Sequence, residues 1–265
     1  MKVGVIGASG RMGQAVLGVL AEQELACGAA IVSPGSAKLG QPAHAGLNYS
    51  DGSELRAGQL DVLIDFSLPQ ALAHNLMLAQ RIGAALVVCT TGLSEQQQNA
   101  VQQAAAAIPL LQAANTSVGV CLLEQLVSIA SGALSEADIE ITEAHHSAKR
   151  DGPSGTALAL GKAAAQGRQQ DFAAVNAGLR GDGLREAQSI GFSVIRAADI
   201  VGEHTVMLVQ PGERIELTHR VTDRRVFARG AVQAAKWLAQ QPAGLYQMRD
   251  MLNMQGLLRQ LLNEI

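Results

Sequence analysis

An α/β protein of two domains is what this 265-residue sequence predicts, on three observations. A short apolar run, Val3-Gly4-Val5-Ile6, ends in the glycine turn Gly7-Ala8-Ser9-Gly10-Arg11-Met12-Gly13. A helical pattern with Val16, Leu17, Val19 and Leu20 apolar follows it. Strand-like and helix-like segments then alternate to about residue 113, as in a parallel sheet with crossover helices. Past residue 138, alternating strands crowd together with few helices between them, until a helical tail begins near Phe227. The first two observations describe a Rossmann dinucleotide-binding domain, and the third an α+β domain with a mixed sheet. The expected division is 1–115 with 228–265 for the first, and 116–227 for the second.

Bulk composition narrows the partners. Hydrophobic residues make up 48% and charged ones only 16%, so the chain folds rather than staying disordered. A net charge of −3 gives no basic surplus for nucleic acid, and 3% aromatic content gives no stacking platform. Cys27, Cys89 and Cys121 are scattered in apolar surroundings and read as thiols of a reducing compartment. The N-terminus opens directly into a strand, without the flanks of a signal peptide. No apolar run reaches membrane-spanning length. The expectation is a cytoplasmic protein with neither nucleic acid nor membrane as partner.

In the opening turn, glycines let the backbone approach a pyrophosphate seated on the N-terminus of the following helix. The spacing is G-x-x-G-x-x-G, and Gly7, Ala8, Ser9, Gly10, Arg11 and Met12 are the candidate cofactor contacts. The second strand is expected at 29–32. An acidic residue near its end would bind a ribose 2′-hydroxyl, but Ser33-Pro34 stands there. Ser33 can donate to a 2′-phosphate, and Arg11 and Lys38 can supply charge. This favours NADPH; the alternative is a plain turn and use of NADH as well. Residues 34–60 read as loop, with a short helix at Glu54-Leu55. Asp61 to Ser67 is a buried strand, and Pro69 opens a helix to about Arg81 that carries His74 as an ordinary side chain. Ala85 to Cys89 is the next strand. Thr90 and Thr91 follow it, where open α/β sheets bind ligands. Ser94 caps a helix to about Ala107, and Pro109 to Ala113 is another strand.

The second half opens with a helix from Val120 to Ser131 and a half-buried strand over 138–143. Then comes the polar stretch Glu143-Ala144-His145-His146-Ser147-Ala148-Lys149-Arg150-Asp151-Gly152-Pro153-Ser154-Gly155-Thr156, expected as a loop. Ser154 caps the helix that follows it to about Gln166. That helix start is a seat for a carboxylate. A histidine can titrate near neutral pH, and Lys149 can hold a carboxylate or pass a proton. A metal site is not expected, because adjacent histidines on a strand point to opposite faces and no further ligand stands at a suitable spacing. Residues 167–188 read as a long loop. Strands are expected at 191–196 and 214–221, with His204 as a structural histidine between two strands and His219 as another.

The run His-His-x-x-Lys-x-Asp-x-Pro-Ser-Gly-Thr resembles the signature of the dihydrodipicolinate reductase family. Gly-x-x-Gly-Arg-Met-Gly at the N-terminus, Cys89-Thr90-Thr91-Gly92, and Ala114-Asn115-Thr116-Ser117-Val118-Gly119-Val120 are similar to further runs of that family. Two departures stand out. Cys89 replaces a glycine, and the acid that often precedes an arginine after the second strand is missing. The resemblance implies NAD(P)H-dependent reduction of a cyclic imine dicarboxylate derived from 4-hydroxy-tetrahydrodipicolinate, in lysine and diaminopimelate biosynthesis. It implies cofactor contacts at Cys89, Thr90, Thr91, Ala113, Ala114, Asn115 and Thr116. His145 is then the principal acid/base and Lys149 the proton donor or electrostatic partner. His146, Gly155 and Thr156 would hold substrate carboxylate oxygens, and the loop is expected to meet the nicotinamide. A homotetramer formed through the mixed sheet is also implied, making 116–227 a substrate-binding and oligomerisation domain. Two rivals remain: another Rossmann dehydrogenase acting on an amino acid or aldehyde, and a dinucleotide-sensing regulator without catalysis.

Overall fold

A computed structural model describes residues 1–254, 256, 259 and 260; the rest of the expected helical tail lies outside the described residues. The chain divides into two compact units, Met1–Ser117 with Arg225 onward, and Val118–Arg224.

In the first unit, β1 (Lys2–Ile6), α1 (Arg11–Glu22) and β2 (Ala26–Ile31) form the opening strand–turn–helix–strand. Two short strands, β3 (Pro42–His44) and β4 (Leu47–Ser50), follow inside the segment expected as loop. They form a two-residue hairpin whose turn residues, Ala45 and Gly46, both have positive φ, at 47° and 80°. Such turns normally announce themselves by Asn-Gly or Asp-Gly, and an alanine there gives no signal. The helix expected at Glu54-Leu55 is irregular turn instead. Then come β5 (Val62–Asp65), α2 (Leu72–Ile82, entered through a 3₁₀ turn at Pro69–Ala71), β6 (Ala85–Val88), α3 (Glu95–Ala104) and β7 (Pro109–Gln112). Ser94 caps α3 in a reciprocal box with Gln97.

The second unit contains α4 (Val118–Ala133), β8 (Asp138–His145), α5 (Gly155–Gly167), α6 (Phe172–Val175), β9 (Asn176–Leu179), β10 (Ile190–Arg196), β11 (Gly202–Gln210) and β12 (Glu213–Val221). Here α6 and β9 occupy the segment expected as a long loop. Only β9's pairing to β10 makes it a strand, and that partner lies too far along the chain for local pattern to show. The sheet order is β12-β11-β8-β10-β9, mixed, with β8, β10 and β9 parallel and β11 and β12 antiparallel. α4 and α5 cover one face, burying Leu123, Val127, Leu160 and Ala164 against Ile139, Ile141, Phe192 and Val206.

The chain then re-enters the first unit as α7 (Arg225–Leu238), β13 (Gly244–Tyr246) and α8 (Met248–Leu252). β13 adds an edge strand beside β7 where the sequence suggested only helix. The complete sheet runs β13-β7-β6-β5-β1-β2-β4-β3, parallel throughout except at β3. α2 and α3 pack on one face, with Leu72, Leu76, Ile82 and Val101 against Leu63, Leu86 and Leu110. β1 is flanked by β2 and β5, so the chain direction reverses there, and the crevice beyond their carboxyl ends is where such sheets bind ligands. No helix among the described residues is long and apolar enough to cross a membrane.

Candidate active site

At the carboxyl edge of the first sheet, Gly7 has φ +74°, and a Cβ there would stand 2.7 Å from the Phe66 carbonyl oxygen. A Cβ on Gly13 would overlap the Gly7 carbonyl, so glycine lets α1 seat directly on the turn. Gly10 precedes α1 without a side-chain cap, which leaves the first-turn N–H groups directed at the turn's concavity. Ala8 is buried and its N–H donates to the Ile31 carbonyl, while Ser9, Gly10 and Arg11 are exposed and Met12 is half-buried. Gln14 and Tyr49 escaped sequence reasoning. The Gln14 Nε2 donates to the Ala8 carbonyl at 2.7 Å and to the Tyr49 hydroxyl at 2.9 Å, bracing the turn.

The other predicted contacts end neighbouring strands on the same edge. Ser33 is exposed just past β2, as is Lys38. Thr91 is exposed after β6, but Cys89 and Thr90 are buried. Burial pushes the Cys89 thiol well up, with the nearby Asp65 adding to it, so it is a protonated core thiol rather than a nucleophile. Ala113 is buried and Ala114 exposed beyond β7; Asn115 is half-buried and its side chain accepts the Ser117 N–H. Thr116 faces inward, its hydroxyl donating to the Phe227 carbonyl at 2.7 Å, and so acts from the protein interior rather than by side-chain contact. A further pair was missed: Asp65 and Asn75, both buried. The Asp65 carboxylate accepts from the Ser67 N–H at 2.8 Å and from Asn75 Nδ2 at 2.8 Å, fixing the turn after β5. Burial raises the Asp65 carboxyl against those hydrogen bonds.

In the second unit, β8 runs on through His145, so the first imidazole sits on a strand end rather than in the loop. Strand periodicity puts Glu143 and His145 on one face, and β10 pairs Arg196 with His145 in register. Glu143 is fully buried. Its Oε2 receives His145 Nδ1 at 2.5 Å and Arg196 Nη1 at 2.8 Å; its Oε1 receives Arg196 Nη2 at 2.8 Å and the Ser154 N–H at 3.0 Å. Burial alone would raise the Glu143 carboxyl, but the hydrogen bonds from Arg196 and His145 outweigh it and hold it low. Arg196 also donates to the Asp151 carbonyl at 2.6 Å, and Ser147 to the Ala198 carbonyl, fastening the loop after β8. His146 is half-buried just beyond His145. Lys149 reaches Asp151 at 2.7 Å, and that ion pair holds the Asp151 carboxyl low. Ser154 caps α5 by accepting the Ala157 N–H at 3.1 Å and lies 2.9 Å from His204 Nε2. Gly155 is exposed and Thr156 half-buried in the first turn of α5. Glu143 stood inside the polar stretch but went unassigned, because Arg196 reaches it from a strand distant in sequence.

This arrangement provides a carboxylate-held imidazole, an ion-paired ammonium and a capped helix start within one segment. Family models described as the N-terminus and the C-terminus of dihydrodipicolinate reductase match residues 1–116 and 119–252. A 4-hydroxy-tetrahydrodipicolinate reductase of Pseudomonas fluorescens SBW25 is 43% identical, over 96% of this chain and 99% of its own. One from Alkalilimnicola ehrlichii is 45% identical over the same shares. Among solved structures, a dipicolinate-bound dihydrodipicolinate reductase from Paenisporosarcina sp. TG-14 is similar in fold, with TM-score 0.75 and 20% identity over 93% of this chain and 97% of that one. By these matches over nearly its whole length, the chain belongs to the dihydrodipicolinate reductase family.

Proposed function

We propose that this chain reduces the dehydrated imine of 4-hydroxy-tetrahydrodipicolinate to tetrahydrodipicolinate, using a nicotinamide dinucleotide. The observation that supports it most is His145, held by a buried carboxylate directly before a loop rich in anion-binding groups. The reaction needs an acid to discharge the negative charge that hydride addition builds on a conjugated imine, and His145 takes that role. Lys149 serves as proton donor or electrostatic partner to the substrate. Its present partner Asp151 is well exposed, and such a pair is worth under about 1 kcal/mol, so Lys149 can leave it readily. His146 and the first turn of α5, Gly155 and Thr156, receive carboxylate oxygens. The glycine turn fits a dinucleotide pyrophosphate, since Gly7 and Gly13 let the turn close against β5 and α1 while no side chain caps the first N–H groups of α1. When bound, the cofactor supplies the hydride.

NADPH is the favoured donor. Ser33 carries no charge to repel a 2′-phosphate, and the exposed Lys38 and Arg11 can attract one. The scattered, largely buried cysteines suit the cytoplasm. The reading also includes a homotetramer formed through the second unit's sheet.

The test is oxidation of NADPH and NADH on adding freshly generated 4-hydroxy-tetrahydrodipicolinate. Turnover with a higher kcat/KM for NADPH is expected, and His145→Gln and Lys149→Ala should each lower kcat by about 10²-fold. No cofactor oxidation, or normal turnover in both variants, would overturn the reading; a strong NADH preference would overturn the cofactor assignment.

A further inference from the structure

Glu143 is a fully buried anion that holds His145 but has been given no part of its own in the proposed chemistry. All four hydrogen bonds it receives come from donors: His145 Nδ1, the Ser154 N–H and both Arg196 Nη atoms. A buried carboxylate is stable only when so paired, and the bidentate Arg196 fork fixes its plane as well as balancing its charge. The other ring nitrogen of His145 is left for other work. Beside it lies Gly202, where a Cβ would come within 3.1 Å of Nε2. The bare glycine keeps that approach open.

We infer that Glu143 is a positioning residue for the reduction, keeping the His145 proton on Nδ1 so that Nε2 is the nitrogen that exchanges protons with the substrate. This rests on the reading of His145 as the acid. The step balances. The hydride pair forms the new C–H bond, and the substrate atom left with the displaced electron pair takes the proton from Nε2 of the imidazolium. The ring is left neutral with Nδ1–H still donated to Glu143, and Nε2 recovers a proton from solvent. Arg196 offsets the Glu143 charge, so the carboxylate orients the ring without trapping the proton that must leave.

The site makes an unusual prediction for the isosteric Glu143→Gln. A glutamine fills the same space, but its amide nitrogen must face one of a ring of donors. Only His145 can turn from donor to acceptor, so the amide should donate to Nδ1 and drive the ring proton to Nε2. ¹⁵N-histidine labelling, with His145 assigned through His145→Gln, reads the tautomer by two-bond ¹⁵N–¹H couplings in alkaline buffer. Wild type should show the Nδ1–H form and Glu143→Gln the Nε2–H form. The kcat should fall about 10²-fold with the cofactor KM unchanged. An Nε2–H tautomer in wild type would overturn the inference even if Glu143→Gln failed to fold. So would a folded Glu143→Gln with normal kcat. Wild-type protein without reductase activity would instead remove the proposed function and leave the tautomer measurement standing.

Discussion

His204 is only 4% exposed, with Nε2 against Ser154 Oγ and Nδ1 buried without a hydrogen-bond partner among the described residues. Burial, with His145 close by, lowers its pKa from 6.5 to about 4. Between those values the unfolded chain binds a proton that the folded one refuses. Stability is therefore whole above pH 6.5 and is lost as the pH falls towards 4, by about 3 kcal/mol. Urea unfolding of wild type and His204→Asn from pH 7.5 to 4 checks this. The variant should lose much of the slope, and an identical slope would show that other groups carry it. At this scale His145, Lys149 and Ser154 were legible because they sit in one local motif. The partners that hold them were not: Arg196 reaches Glu143 across 53 residues, and pairing of that kind leaves no periodic trace.

Among elements, α4 and α5 meet through glycines. A Cβ on Gly167 would overlap the Ser128 carbonyl oxygen, and one on Gly132 would stand 2.8 Å from the Gly167 carbonyl. The atoms in the way are backbone, so Gly167→Ala must push the helices apart. Overpacking of that sort costs about 1–3 kcal/mol, more than the helix propensity that alanine gains. The thermal midpoint should drop by several degrees, and an unchanged or higher one would show that the helices have room. Helices were legible here because burial repeats about every 3.6 residues, β8 because it alternates, and β5 and β6 because they are continuous apolar runs. The hairpin β3–β4 was hidden by an alanine in a glycine-like conformation, and β9 and β13 by strand partners remote in sequence.

On the scale of the whole molecule, the second unit's sheet has α4 and α5 on one face only. Along β8, β10 and β11 the opposite face bears Thr142, Ile195, Thr205, Met207 and Val209, with Ile195 49% and Val209 36% exposed. Partly apolar and free of covering helices among the described residues, it suits the sheet of another copy. Sedimentation equilibrium should give four times the 27.6 kDa chain mass, and charged substitution of Val209 and Met207 together should reduce it. A wild-type monomer at micromolar concentration would refute the tetramer. The two-domain plan was legible from the change in strand spacing near residue 138, but the sheet's bare face becomes visible only once its strands are ordered side by side.

The Val118–Arg224 segment interrupts a unit whose last helix, α7, comes after it. As the ribosome works, the earlier half waits with the flank of β5, β6 and β7 that α7 will occupy still wet. The insert, being one continuous piece of chain, can be finished first. Synthesis thus closes the two units in the reverse of the order in which it opens them.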